Sequence, residues 1–273
     1  MTQQQPRIAF IGSGNMANSI IGGLLAEGFA AANIYATARS DASLARAQSL
    51  GAITVSTDNA AAITFADVVV LAVKPQMMKD LVKEHAESLR GKLVISVAAG
   101  VTAASLADWI GGKCAIVRSM PNTPSQLRAG ATGLYANTGC SVAQKALAEQ
   151  IMSAVGVAMW CDDEEQLHAV TALSGCGPAY IFLFTQCLIE AAEGLGLSRD
   201  VAEKLALQTV LGSARMASET DIDVVELRRR VTSPNGVTER AIQSFEADDL
   251  ATIVNKALQT AVARSQEMST LFT

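Results

Sequence analysis

Strand signals stop at Cys161, and that break limits what this protein can fold into more than any other feature. Upstream, short apolar runs at 7–12, 33–38, 52–55, 67–73, 92–98, 114–118, 130–136 and 156–161 read as strands. Helical patterns at 15–28, 41–50 and 77–89 separate the earlier ones. Strands that are apolar throughout and divided by helices imply a parallel sheet covered on both faces. Downstream, residues 178–194, 198–218, 221–231, 238–246 and 249–269 all have helical length or periodicity, with Ser198 and Asp221 placed as N-caps. The expected class is α/β: a Rossmann-like, doubly wound parallel sheet over 1–162, then an all-helical domain over 163–273. The acidic segment Asp162-Asp163-Glu164-Glu165 marks the boundary.

The bulk composition permits this and excludes other classes. A sequence of 273 residues, half apolar and 17% charged, can bury two cores and is not disordered. A net charge of -5 argues against nucleic acid, which needs clustered Lys and Arg. The most apolar run, 179–195, carries Gln186, Glu190 and Glu193 and reads as a buried helix rather than a membrane span. Because this segment is apolar nearly all round, its domain is expected to complete its core against a second subunit. Residues 1–7 are polar and lead straight into a strand, with no signal-peptide pattern. The five cysteines are odd in number and include no C-x-x-C pair, which fits a reducing cytoplasm and no zinc site. His85 and His168 share no motif, so no metal is expected.

Between the first strand and first helix stands Gly12-Ser13-Gly14-Asn15-Met16-Ala17, a G-x-G-x-x-A pattern. The first glycine permits the tight turn, the second lets backbone approach a pyrophosphate, and Ala17 lets helix and strand pack closely. A plain strand-to-helix turn would share the pattern; its place at the head of a βαβ series points to dinucleotide binding. The second strand ends in Thr37-Ala38-Arg39-Ser40 with no acid before Asp41. An acid there would hold a ribose 2′-hydroxyl, so Arg39 and Ser40 point instead to the 2′-phosphate of NADP. Three more strand-ending loops fall on the same side: Ala72-Val73-Lys74-Pro75, Ala98-Ala99-Gly100 and Arg118-Ser119-Met120-Pro121-Asn122-Thr123-Pro124. The small residues Ala98 to Gly100 would let a flat nicotinamide lie close.

The second half holds another anion cradle. Ser233-Pro234-Asn235-Gly236-Val237-Thr238 is an uncharged turn feeding the helix that starts near Glu239. Unpaired N–H groups and the helix dipole can hold a carboxylate or phosphate there without a basic side chain. Ser174-Gly175-Cys176-Gly177-Pro178-Ala179-Tyr180 is a further glycine-rich helix entry, either a pocket wall or a tight turn. Cys176 has no neighbouring base and makes a poor nucleophile. Arg228-Arg229-Arg230 reads as a last helical turn complementing the dipole.

Taken together, Phe10 to Met16, Ala72 to Pro75, Ser174 to Tyr180 and Val231 to Thr238 occur in the order and spacing of pyrroline-5-carboxylate reductases, which the whole sequence resembles. The resemblance implies NAD(P)H-dependent reduction of 1-pyrroline-5-carboxylate to L-proline; the end of the second strand makes NADPH the preferred cofactor, with NADH the alternative. It implies a substrate carboxylate held by the backbone of Ser233, Asn235, Gly236 and Val237, and a ring nitrogen meeting the catalytic Thr238 hydroxyl. Glu164 corresponds to a family acid near the substrate. Ile11, Gly12, Ser13, Gly14, Asn15, Met16, Arg39, Ser40, Asn59, Ala72, Val73, Lys74, Pro75, Ala98 and Gly100 form the expected cofactor set. A homodimer built from the helical domains, gathered into a larger ring such as a decamer, is also implied. Two positions depart from the family pattern: Asn235 replaces a more usual glycine, and Cys176 a more usual serine. Asn tolerates positive φ, so the turn is expected to survive.

Reduction of a protonated cyclic imine asks for orientation more than for a strong acid, which suits an uncharged turn. Two other readings share the Rossmann half: a β-hydroxyacid-dehydrogenase-type reductase, and a non-catalytic NADP-binding regulator. The first would want a lysine or acid for alcohol chemistry that the turn lacks. The second has no need of intact substrate-side residues.

Overall fold

The computed structural model describes residues 5–272, so residues 1–4 of the polar stretch 1–7 lie outside it. One compact unit runs up to Cys176 and takes in residues from Thr260 onward; the other comprises Gly177–Gln259. The division by compactness thus falls after Cys176, beyond the acidic segment at which composition placed the boundary.

The first unit is built on an eight-stranded sheet of order β3-β2-β1-β4-β5-β6-β7-β8. Its strands are β1 (Ile8–Ile11), β2 (Ile34–Thr37), β3 (Thr54–Ser56), β4 (Val68–Leu71), β5 (Leu93–Ser96), β6 (Ala115–Met120), β7 (Gly130–Ala136) and β8 (Gly156–Trp160). From β3 across to β6 every pair is parallel. Successive side chains of a strand face opposite ways, and here both faces are apolar. Ile8, Phe10, Val68 and Val70 pack into one buried cluster, while Ala9, Ile11, Val69 and Leu71 pack into another.

Helices α1 (Asn15–Ala26), α2 (Asp41–Gln48) and α7 (Val142–Ser153) cover the first face. The second is covered by α3 (Asn59–Phe65), α4 (Pro75–Glu84), α5 (Ala86–Leu89) and α6 (Ala103–Ile110). Periodicity does not reveal α3, α6 or α7, which are rich in alanine, the first two of them also short. Their caps are readable: the Asp58, Thr102 and Ser141 side chains each accept the N–H of the third residue on, with Gln144 completing a capping box at Ser141.

The sheet is not wholly parallel. β7 runs antiparallel to β6, with Arg118 opposite Tyr135, and β8 then runs parallel to β7. The β6–β7 connection holds only a 3-10 turn, Thr123–Leu127. A link that short cannot carry the helical crossover a parallel neighbour requires, so the backbone turns back.

After β8 come α8 (Gln166–Val170) and a π-helical turn at Thr171–Gly175. The second unit follows with α9 (Gly177–Gly194), α10 (Arg199–Ser218), α11 (Val224–Arg230), α12 (Val237–Ala247) and the first part of α13 (Leu250–Leu271). Asp221 is not the cap of α11; Asp223 is, its side chain accepting the Val225 N–H at 2.8 Å. Nor is α9 a buried helix within one protomer: Phe182 is 68% and Leu183 61% exposed. The apolar surface that identified it is left for another subunit to cover.

Candidate active site

At the carboxyl ends of β1, β2 and β4 the first unit forms a cavity of about 460 Å³ bordered by Gly12, Gly14, Arg39, Ser40, Asn59 and Lys74. Gly12 takes φ +96°, and a Cβ there would stand 2.9 Å from the backbone of Ala72. Glycine is therefore required twice, by conformation and by the close approach of the β4 loop. The Gly12 N–H donates to Thr37 Oγ1 at 3.3 Å, which ties the glycine turn to the end of β2. Gly14 caps α1 without a side chain, and a Cβ added to it would meet nothing within 4 Å. Open space in front of uncapped helix N–H groups fits a pyrophosphate.

Around the end of β2 the structure adds residues that sequence reading missed. Ser40 caps α2 and its hydroxyl bonds Ser43 Oγ at 3.1 Å, which in turn accepts Arg46 Nη2 at 3.1 Å. Arg46, Ser43, Thr57 and Met77 line the cavity beside Arg39. Spacing held the clue, since positions 40, 43 and 46 recur every three residues on one helical face. Ala72 and Val73 also border the cavity; Lys74 does so as the N-cap of α4, with Pro75 in its first turn.

Other members of the expected set serve differently. The Ile11 side chain is fully buried in the core, leaving only its backbone at the turn. Met16 packs against the core, and Asn15 borders a separate groove with Arg128. Ser13, by contrast, borders the cavity between the two glycines, and its buried hydroxyl donates to Asn18 Oδ1 at 2.7 Å. Ala98 is buried too. Gly100, at φ +77°, is buried: a Cβ there would lie 3.1 Å from Phe272 and 3.3 Å from the Met268 carbonyl. The end of α13, a segment that local reading could not place, covers it.

The loop after β6 and the segment after α8 meet within this unit. Asn122 Nδ2 donates to the Ser174 carbonyl at 3.0 Å, and its Oδ1 accepts the Ala131 N–H at 2.9 Å. A Cβ on Gly175 would come within 2.8 Å of Met120 Cε. Two motifs about 50 residues apart in sequence are thereby one piece of wall. Next to them, Glu164 Oε1 accepts from Arg118 Nη1 at 2.8 Å and from the Ala103 N–H at 2.7 Å. Burial pushes the Tyr135 hydroxyl up, helped by the negative charges of Glu164 and Asp163.

In the second unit the turn at 233–238 has a definite internal pattern. Asn235 sits at φ 59°, the left-handed conformation that Asn accepts. The Gly236 N–H bonds the Ser233 carbonyl at 2.9 Å, and a Cβ on Gly236 would stand 2.9 Å from that oxygen. The Asn235 N–H donates to Glu239 Oε2 at 2.9 Å. Gly236 caps α12 with no side-chain acceptor, so the Val237 and Thr238 amides have no acceptor among the described residues. Thr238 is exposed. An anion would find two open amides and a hydroxyl at one helix end.

A doubly wound sheet with this glycine turn, followed by a helical half with an uncharged turn at an open helix start, fits a nicotinamide-dependent oxidoreductase of the two-domain kind. The match to known proteins narrows this. Residues 164–268 match the family model for pyrroline-5-carboxylate reductase dimerisation, and 7–100 match that described as NADP oxidoreductase coenzyme F420-dependent. The protein is 52% identical over 265 residues to the pyrroline-5-carboxylate reductase of Pseudomonas aeruginosa, covering 97% of each. It superposes on that of Coxiella burnetii with a TM-score of 0.94 at 48% identity, covering 97% of this protein and 99% of the other. On the Plasmodium falciparum enzyme, solved with NADP bound, the TM-score is 0.84 at 27% identity, with 98% and 99% coverage. The chain belongs to the pyrroline-5-carboxylate reductase family. It is an oxidoreductase acting on the imine bond, and a homo-oligomer through its dimerisation domain.

Proposed function

We propose that the turn at 233–238 is the substrate carboxylate clamp of this enzyme and that Thr238 is its catalytic residue. The reaction is the NAD(P)H-dependent reduction of 1-pyrroline-5-carboxylate to L-proline, the last step of proline synthesis. When bound, the dihydronicotinamide supplies the hydride. What remains for the protein is to orient a flat anionic imine and to meet its nitrogen with a hydrogen bond.

The observation that carries this assignment is the pair of open amides on Val237 and Thr238 beside the exposed Thr238 hydroxyl. The amides take the carboxylate, and the hydroxyl bonds the ring nitrogen directly or through water. Ser233 and Gly236 shape the turn through the bond between them. In the first unit, Gly12, Gly14 and the N-terminus of α1 take the pyrophosphate. Arg39 and Ser40 take a 2′-phosphate, which supports NADPH as the preferred cofactor over NADH. Asn59, Ala72, Val73 and Lys74 border the same cavity, and Pro75 follows them in the first turn of α4. We assign residues 1–162 to cofactor binding and 163–273 to substrate binding and dimerisation. A ring of dimers such as a decamer, and a cytoplasmic location suited to five free cysteines, complete the reading.

Thr238→Ala tests it. We expect kcat to fall at least about tenfold with cofactor binding and melting temperature kept. Ser233→Ala is expected to act mainly on the KM for pyrroline-5-carboxylate. Wild-type kinetics in Thr238→Ala would remove Thr238 from the chemistry.

A further inference from the structure

We infer that Glu239 is a positioning residue of the carboxylate clamp, an inference that rests on the reading of the turn given above. Glu239 is the third residue of α12, and its carboxylate reaches back to the Asn235 N–H at 2.9 Å. This contact is displaced by one residue from a capping box, in which the acid would bond the N–H of the N-cap, here Gly236. The N-cap has no side chain either, so nothing on it accepts the N–H groups of the first turn. A full box would fill donors an anion needs. The displaced bond does the opposite: it satisfies an amide outside the helix and leaves those of the first turn open.

The latch also fixes the direction of those amides. Asn235 holds φ 59°, a conformation costly for most side chains and tolerated by Asn. One bond ties the Asn235 N–H forward to Glu239, and another ties the Gly236 N–H back to the Ser233 carbonyl at 2.9 Å. Between them they use the two amides immediately before α12. The substrate carboxylate is therefore left to the Val237 and Thr238 amides, displaced toward the helix from the centre of the turn. Glu239 is half-buried and touches neither imine nor cofactor in this scheme; it acts through Asn235. The side-chain length matters, since an acid one methylene shorter does not span the same four-residue gap.

Steady-state kinetics on the full-length enzyme test the latch, with pyrroline-5-carboxylate varied at saturating NADPH and then the reverse. Glu239→Ala and Glu239→Asp are expected to raise the KM for pyrroline-5-carboxylate about fivefold, the loss of one modest hydrogen bond. The KM for NADPH should stay within about twofold, and kcat should fall less than KM rises. Glu239→Gln keeps an acceptor at the same reach and is expected to restore the substrate KM to within about twofold of wild type. An unchanged or lowered substrate KM in both Glu239→Ala and Glu239→Asp would overturn the latch, a lowered one meaning that the carboxylate competes with substrate. Thr238→Ala is run alongside. Wild-type kinetics in Thr238→Ala would mean that the reading of the turn has failed; a slow Thr238→Ala with an unmoved Glu239→Ala would mean that the latch alone has. If Glu239→Ala does not fold, the Asp and Gln pair, of equal size to within one methylene or one amide, decides the matter.

Discussion

Glu164 holds Arg118 at 2.8 Å through one carboxylate oxygen, and that same oxygen accepts the first N–H of α6 from Ala103. The arginine is 7% exposed at the end of β6, so its charge is neutralised by this acid rather than by water. Three elements that sequence separates are joined at one atom: β6, α6 and the segment entering α8.

Removing one member of such a pair leaves a buried charge unmatched. Glu164→Ala is expected to cost about 3 kcal/mol, the lower end for a broken buried pair because Glu164 keeps some contact with water. Glu164→Gln retains an acceptor and should cost nearer to ~1 kcal/mol. Urea unfolding at fixed protein concentration gives both values. A change in substrate KM without any loss of stability would show Glu164 to be a substrate contact instead.

Gly12→Ala should cripple the cofactor site. Its backbone at φ +96° costs any other residue about 1–3 kcal/mol, and the new Cβ would press on the Ala72 backbone at 2.9 Å. We expect the KM for NADPH to rise by about tenfold or more, with a lowered melting temperature. Intact NADPH titration in a folded Gly12→Ala protein would contradict this.

Cofactor choice is expected to depend on Arg39, just before α2, and Arg46, within it. Arg46 reaches Ser43, and Ser43 reaches Ser40, so the group forms one hydrogen-bonded set on the cavity edge with Arg39. Arg39→Ala and Arg46→Ala should each lower the NADPH to NADH ratio of kcat/KM by about fivefold or more, consistent with loss of a charge-assisted phosphate contact. Values for NADH itself should hardly move. Equal losses with both cofactors would mean that these arginines shape the loop and do not read the phosphate.

Gly100 and Phe272 form a further test of the packing. Gly100→Ala brings strain at φ +77° and a contact of 3.1 Å with Phe272 Cδ2. A cost of about 1–2 kcal/mol is expected. Phe272→Ala should relieve only the contact, so the double variant recovers part of the loss. Full recovery would assign the whole effect to sterics.

Acid should weaken the tie between the start of β1 and the start of β4. The Arg7 guanidinium bonds Asp67 at 3.1 Å and holds its carboxyl below the usual aspartate range. A depressed folded pKa gives stability that is present above the unfolded value, about 3.9, and is lost as pH falls through the folded one. Both side chains are half exposed, so the effect is small. Arg7→Ala should flatten the fall of melting temperature below about pH 4. Parallel wild-type and variant curves across that range would rule it out.

Much of this was legible in the residues. Gly12 and Gly14 state their roles locally, because a tight turn and an uncapped helix are properties of neighbouring residues. The same holds for Asn235 and Gly236, whose φ values and short bonds lie within a six-residue turn. The strand sequence followed from apolar runs, since burial on both faces needs no partner to be named. The reversal at β7 was not legible, because apolar strands look alike whichever way they run. Arg46 was overlooked because a lone helix cation reads as solvated until a cavity is seen beside it.

What the sequence determined by itself is therefore the class of fold, the two glycine-bearing turns and the family, all carried by short-range patterns and their order. Only the tertiary structure decided which expected residues face the cavity at the ends of β1, β2 and β4. It buried Ile11 and Ala98, covered Gly100 with the end of α13, and matched Arg118 to Glu164 across 46 positions. Such pairings depend on where the sheet brings distant segments, and no local propensity encodes them.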